Sequence, residues 1–183
     1  MEVFTAAPDT VMSKRRENGM GEKLTKEDVE KIKEEIEHRK LTLRPELIAA
    51  VKEARAQGDL SENFEYYAAK REKNRNESRI GYLERMLKTA TIVEDHSAAD
   101  QVGLNKVVEV LFVGENETEA YKIVTPIRGD TMENRISIDS PLGRALLHHR
   151  TGDVVTVRTE SDSYQLRILS IREDHGDDEI RSF

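Results

Sequence analysis

The stretch Gly58-Asp59-Leu60-Ser61-Glu62-Asn63 is a short polar turn set between two long stretches of helical period. Before it, Val29, Ile32, Ile36, Leu43, Leu47, Val51 and Ala54 follow helical spacing. After it, Tyr66, Ala69, Lys73, Asn76, Ile80, Leu83 and Leu87 step three and four in alternation. Two such seams joined by a short turn predict an antiparallel helical hairpin, with the turn at the far end of a rod. That tip carries two carboxylates, Asp59 and Glu62.

Working outward, Thr25-Lys26-Glu27-Asp28 resembles a capping box with Asp in place of the usual Glu, so the first helix is expected to begin there. It runs to about Gln57, with a kink or short break near Arg44-Pro45, because a proline loses a helical hydrogen bond and clashes with the preceding turn. Gly58 suits the left-handed position that ends a helix. The second helix runs to about Thr89. At about 1.5 Å per residue, either arm is about 40–50 Å long, more than a small domain needs for its own core.

Beyond the rod, residues 94–105 (EDHSAADQVGLN) lose the helical period and read as a flexible linker. The period then becomes two. Lys106–Val113, Ala120–Thr125, Asn134–Ile138, Asp153–Thr159 and Tyr164–Ile171 are expected strands, with turn chemistry at Gly114-Glu115-Asn116 and Ser161-Asp162-Ser163. One short helix is expected from Ser140 to Leu147, with Ser140 as N-cap and Pro141 as its first helical residue. The fold class is therefore α+β. Residues 1–22 read as a disordered extension, 23–93 as the coiled-coil hairpin, 94–105 as the linker, 106–172 as a small antiparallel sheet with one helix, and 173–183 as an acidic, disordered tail.

Composition narrows the function. Across 183 residues the chain is 37% hydrophobic and 36% charged, which suits a solvated rod plus a modest core. Absence of cysteine excludes disulfides, thiolate metal sites and a thiol nucleophile, and is compatible with a reducing cytoplasm. No apolar run approaches the ~20 residues of a membrane span, and the N-terminus lacks the apolar core of a signal peptide. A net charge of −7 argues against broad binding of duplex nucleic acid, which needs a basic footprint. His148-His149 is not a convincing metal pair, since adjacent helical residues do not face each other.

The tip itself admits two readings. Asp59-Leu60-Ser61-Glu62 has the form of a capping signature for the second helix, and both carboxylates suit its positive end. Capping explains neither the length of the rod nor the polarity of its end. Mg²⁺ is commonly held by one or two carboxylates together with phosphates and waters. Two exposed carboxylates are therefore suited to completing a site that a partner half builds, as in two-metal phosphodiester chemistry. Lys70, Arg71, Lys73, Arg75 and Arg79 make the second helix locally basic. They read either as a contact for an anionic partner or as a solvated face partly neutralised by Glu72 and Glu77. Lys73 and Asn76 are polar seam positions that fix register.

The chain resembles the Gre transcript-cleavage factors of bacteria. The resemblance is carried by Arg44-Pro45-Glu46-Leu47-Ile48, by Glu53 through Asn63 (EARAQGDLSEN), by Glu65-Tyr66 and Ala68-Ala69-Lys70, and by Ser137 through Leu147 with Gly152-Asp153. It spans about residues 22–172 and implies a coiled-coil N-terminal domain with an FKBP-like C-terminal domain. It also implies a role in transcription elongation, in which the rod enters the secondary channel of a backtracked RNA polymerase and its tip stimulates hydrolysis of the displaced RNA 3′ segment. On the matching positions Asp59 and Glu62 carry the tip chemistry: Asp59 helps hold the second Mg²⁺ and Glu62 orients or deprotonates water. Asn63, Phe64 and Tyr66 shape the tip, Tyr66 being equally readable as a seam residue. Phe64 departs from the family, which usually has a small residue there. The implied partners are bacterial RNA polymerase and, through it, the nascent RNA 3′ end. The implied protein is a cytoplasmic monomer with no membrane contact and no cofactor of its own, the Mg²⁺ belonging to the polymerase active site. It is an accessory factor rather than a free-standing enzyme. Two other readings are a Gre-like regulator that binds the same channel without promoting cleavage, and a coiled-coil scaffold with no polymerase role.

Overall fold

The computed structural model describes residues 21–57, 63–174, 176 and 178–181. Residues 1–20, most of the expected N-terminal extension, lie outside them. In chain order the elements are β1 (Lys23–Leu24), α1 (Lys26–His38), a π-helical turn (Arg39–Leu43), α2 (Arg44–Ala56), α3 (Phe64–Thr89), β2 (Thr91–Ile92), β3 (Lys106–Phe112) and β4 (Thr118–Val124). Short 3₁₀ turns at Pro126–Arg128 and Thr131–Glu133 lead to β5 (Arg135–Ser137), α4 (Pro141–Leu146), β6 (Val154–Arg158) and β7 (Ser163–Glu173). Among the described residues no helix is long and apolar enough to cross a membrane.

The rod is an antiparallel hairpin in which α1, the π turn and α2 form one arm and α3 the other. Its start is the expected capping box: Asp28 N donates to Thr25 Oγ1 at 3.1 Å, and Thr25 N donates to Asp28 Oδ2 at 2.8 Å. At Pro45 no break occurs. The π-helical turn just ahead of it, in which the Arg44 N–H reaches back five residues to the Arg39 carbonyl, widens the helix where the pyrrolidine ring has to fit. Asn76 marks the register opposite this turn. It is buried, its Nδ2 donates to the Arg39 carbonyl at 3.3 Å, and its Oδ1 accepts from Arg39 at 3.2 Å. Polar groups tie the arms further along: Arg44 grips Glu77 with two bonds of 2.7 Å, and Lys40 meets Glu84 at 2.5 Å.

Arg79 and Glu35 form the most buried of these ties. The Arg79 side chain is only 6% exposed, and donates to both Glu35 oxygens at 2.9 and 3.0 Å while Arg39 adds a 2.7 Å bond. Burial pushes the Glu35 carboxyl up, but hydrogen bonds and charge from Arg79 and Arg39 outweigh it and hold the group below the usual carboxylate range. A carboxylate depressed by folding contributes stability that is complete above its unfolded pKa of about 4.3 and is lost as pH falls through its folded value. Denaturation midpoints of wild type and Glu35→Gln are therefore expected to differ by a constant amount above pH ~5 and to converge in stronger acid. A gap that does not change with pH would remove Glu35 from this role.

The sheet has the order β5-β4-β3-β7-β6. Where an antiparallel sheet is expected, it is mixed: β5 pairs parallel to β4, with Lys122 opposite Arg135 and Val124 opposite Ser137. The two 3₁₀ turns carry the chain back alongside Lys122, so that β5 runs the same way as the last three residues of β4. Val108, Val110, Ile123, Val155, Val157, Leu166 and Ile168 form its core, closed by Leu146 of α4 and Ile138. Ser140 caps α4, accepting from Gly143 N at 3.0 Å, and Pro141 opens it, as the sequence predicts. Gly143 has to be glycine because a Cβ there would lie 2.0 Å from the Ser137 carbonyl oxygen.

The segments on either side of the sheet depart from expectation. The stretch read as a flexible linker sends Val102 and Leu104 into the sheet core and is pinned by Lys106, whose buried Nζ donates to the carbonyls of Ala98 and Gln101 at 2.6 and 2.9 Å. The stretch read as a disordered acidic tail is docked where described. Asp178 lies 2.7 Å from Lys122 Nζ, its carbonyl accepts from Lys31, and Ile180 packs on the apolar cluster of Leu24, Ile32, Leu83, Met86 and Ile127 at the base of the hairpin. Arg181 N then donates to the Ile127 carbonyl at 2.9 Å, and the Arg181 carbonyl accepts from Arg79 at 3.0 Å. Acidic character does not keep this segment in solvent because four basic side chains, Lys31, Lys122, Arg128 and Arg135, converge on it.

Candidate functional site

The candidate site is the far end of the hairpin. α2 stops at Gln57, whose N–H turns back to the Ala54 carbonyl at 3.4 Å, and α3 starts at Phe64. Gly58, Asp59, Leu60, Ser61 and Glu62 lie outside the described residues. The two candidate carboxylates, with any metal they help to hold, therefore fall within that five-residue stretch.

The described residues on either side decide what the stretch does not have to do. The N-cap of α3 is Asn63, not Asp59: Asn63 Oδ1 accepts from Tyr66 N at 2.9 Å. The same side chain reaches the other arm, its Nδ2 donating to the Ala54 carbonyl at 2.7 Å. One amide thus supplies an acceptor to the orphan donors of α3 and a second, shorter donor to the Ala54 carbonyl at the end of α2, a pairing that a carboxylate, which only accepts, is unable to make. The chain starts α3 at residue 64 because Asn63 closes both helix ends at once. The turn signature DLSE has the form of a cap one turn too early.

Of the other residues singled out from sequence, Phe64 is 87% exposed. Tyr66 is half-buried and meets Tyr67 edge-on at 5.5 Å between ring centroids, with Lys70 Nζ 5.8 Å from its ring. Lys70, Arg71 and Arg75 are exposed, Arg75 pairing with Glu72 at 3.1 Å, and Lys73 is half-buried at the seam. Arg79 does not belong with them: it is spent on Glu35 inside the rod. Spacing alone places it on the Arg71-Arg75 line, and only the facing carboxylate of α1 shows that it turns inward.

Residues 22–92 match the N-terminal family model of transcription elongation factors, and residues 96–173 match the model for the C-terminal part of GreA/GreB elongation factors. The chain belongs to the GreA/GreB family of transcription elongation factors. Transcription elongation factor GreA of Streptococcus suis (strain 05ZYH33) is 45% identical over 149 residues, covering 81% of this chain and 93% of its own. That of Streptococcus sanguinis (strain SK36) is 43% identical over the same shares. Among solved structures, GreA factor homolog 1 (Gfh1) of Thermus thermophilus is 31% identical, covering 83% of this chain and 99% of that one, with a TM-score of 0.39.

In this GreA/GreB-family chain Asn63 is the residue whose geometric role the sequence reading understated. Asn63→Ala removes the cap and the bridge to Ala54 together. Loss of such a cap costs about 1 kcal/mol, and loss of the bridge adds about 1 kcal/mol. Thermal unfolding is expected to show the larger share as fraying at the tip, with hydrogen exchange of the first turn of α3 accelerated and the base of the hairpin unaffected. Unchanged exchange at Tyr66 and Tyr67 would contradict the assignment.

Proposed function

We propose that this protein inserts the tip of its hairpin into the secondary channel of bacterial RNA polymerase and stimulates hydrolysis of the RNA 3′ segment displaced in backtracked complexes. It acts in the cytoplasm as a monomeric accessory factor, and the polymerase performs the reaction. The observation that supports this reading is the position of Asn63. With the cap of α3 taken by an amide just after the turn, the main structural explanation for Asp59 and Glu62 falls away. Two carboxylates in the turn between α2 and α3 are then left without the capping role that their spacing suggested.

The donor set suits Mg²⁺, a hard cation that takes carboxylate oxygens while sharing its remaining positions with phosphate and water. Bound at the polymerase active site, Mg²⁺ supplies Lewis-acid polarisation of the phosphodiester and a more acidic water. Asp59 is assigned to help hold the second ion. Glu62 is assigned to orient the attacking water and to take its proton. Lys70, Arg71 and Arg75 line the approach with positive charge, which favours an anionic strand.

The test is RNA release from a stalled, backtracked polymerase complex in Mg²⁺, with and without the protein. Shortened RNA and resumed elongation are the expected results. If the protein occupies the complex and the RNA stays intact, the cleavage reading is wrong, and a channel-binding regulator without cleavage activity takes its place.

A further inference from the structure

The first turns of α3 carry a feature that capping, seam packing and the two carboxylates leave unused. Phe64 is 87% exposed and Tyr67 50% exposed, directly after the tip. At about 100° per residue, Phe64, Tyr67, Arg71 and Arg75 fall within an arc of about 80°, on the side of α3 away from the seam of Tyr66, Ala69, Lys73, Asn76 and Ile80. Arg71 makes no hydrogen bond or ion pair among the described residues, and Arg75 has only the solvent-exposed Glu72. One exposed ring, a second that is half exposed and rests edge-on against Tyr66, and two guanidinium groups thus form one line running from the tip towards the base.

Two large aromatic side chains left in water directly after the tip suit a ligand with flat apolar faces, and the guanidinium groups behind them suit an anion. Unpaired nucleotides offer both. Base faces stack on aromatic rings whatever their sequence, and phosphates pair with arginine, which is how single-strand binders combine a stacking platform with a basic track. From Phe64 to Arg75 the helix rises about 16 Å, the length of about five nucleotides stacked about 3.4 Å apart.

We infer that Phe64 and Tyr67 are a stacking platform for unpaired bases of the extruded RNA 3′ segment, whose phosphates are taken by Arg71 and Arg75. This deepens the proposed function and rests on it for the identity of the strand. The platform fixes the RNA beside Asp59 and Glu62 by a contact that does not depend on sequence, so Phe64 and Tyr67 are positioning residues.

The experiment measures the affinity of the full-length protein for two targets: a backtracked complex with extruded RNA, and polymerase without RNA. Both are measured in an Asp59→Asn background, so that the RNA is not consumed. Phe64→Ala and Tyr67→Ala are each expected to weaken binding to the backtracked complex by about 5- to 150-fold and to leave binding to RNA-free polymerase unchanged. Phe64→Trp is expected to retain affinity, and Phe64→Leu, apolar but without a flat face, to lose most of it. A photoactivatable thiouridine at the RNA 3′ end is expected to crosslink to the peptide containing residues 64–67. Equal weakening on both targets would overturn the proposal and make these rings a contact with polymerase protein. No weakening on either, or rescue by leucine, would overturn it as well. If wild type fails to cleave RNA while the aromatic dependence on RNA persists, the cleavage reading fails and the platform stands. If wild type cleaves and Phe64→Ala and Tyr67→Ala bind as tightly as their parent, the platform fails alone.

Discussion

Asp59→Asn and Glu62→Gln are each expected to lower RNA cleavage in backtracked complexes by about 10²- to 10⁴-fold, the range over which a positioned proton acceptor contributes to a reaction. Both substitutions keep size and shape while replacing one carboxylate oxygen with an amide NH2 and so removing the negative charge. Any loss therefore reports the chemistry of the carboxylate and not the shape of the tip. Asparagine retains one oxygen of the Asp59 pair but binds a hard divalent cation less strongly than a carboxylate, so part of the loss at Asp59 is expected to be recovered by raising Mg²⁺. Glutamine at position 62 is unable to accept the proton of water, and no such recovery is expected there. Neither residue supplies the cap of α3, which is Asn63, so circular dichroism and polymerase binding are expected to match wild type. If both variants cleave normally, the carboxylates are not catalytic.

The second large effect is expected far from the tip. Asp28, which completes the capping box of α1, is fully buried. Its Oδ2 accepts from Thr125 Oγ1 at 2.8 Å and its Oδ1 from Arg128 Nε. Arg128, itself 2% exposed, also donates to Thr25 Oγ1 at 3.0 Å and to Asn105 Oδ1 at 3.3 Å. One carboxylate therefore starts the first helix and joins it to the sheet. Removing a single partner strands a buried charge, so Asp28→Ala and Arg128→Met are each expected to cost about 3–5 kcal/mol of stability. The double variant is expected to cost much less than the sum, because replacing both partners leaves no uncompensated charge. Denaturant unfolding of the four proteins measures this coupling. Additive losses would mean that the two groups act independently, against the contact between them.

The two predictions test opposite ends of one rod, and the sequence was unequally informative about them. The hairpin is legible because the alternating three- and four-residue steps from Tyr66 to Leu87 have one local meaning, and because Thr25, Ser140 and Pro141 act on residues only a few positions away. The strands are legible for the same reason: period two is a local property of the chain. Membership of an elongation-factor family and the choice of Asp59 and Glu62 follow from short runs of residues as well.

What the sequence did not contain are pairings between distant residues of opposite charge. Arg79 has the spacing of an exposed basic residue, and only the approach of Glu35, 44 positions earlier, turns it inward. Asp178 sits in a stretch whose composition suits disorder, and only the convergence of Lys31, Lys122, Arg128 and Arg135 gives it a partner. The parallel pairing of β5 depends on where two 3₁₀ turns carry the chain. Asn63 in place of Asp59 as the cap depends on the Ala54 carbonyl across the turn. The sequence by itself determined the long helices, the five strands of the sheet, their order and the residues offered at the tip, since these rest on periodicity and short-range hydrogen bonding. The tertiary structure decided which polar groups are consumed in joining those elements and which remain exposed for a partner, because burial and charge compensation are settled only when distant segments meet.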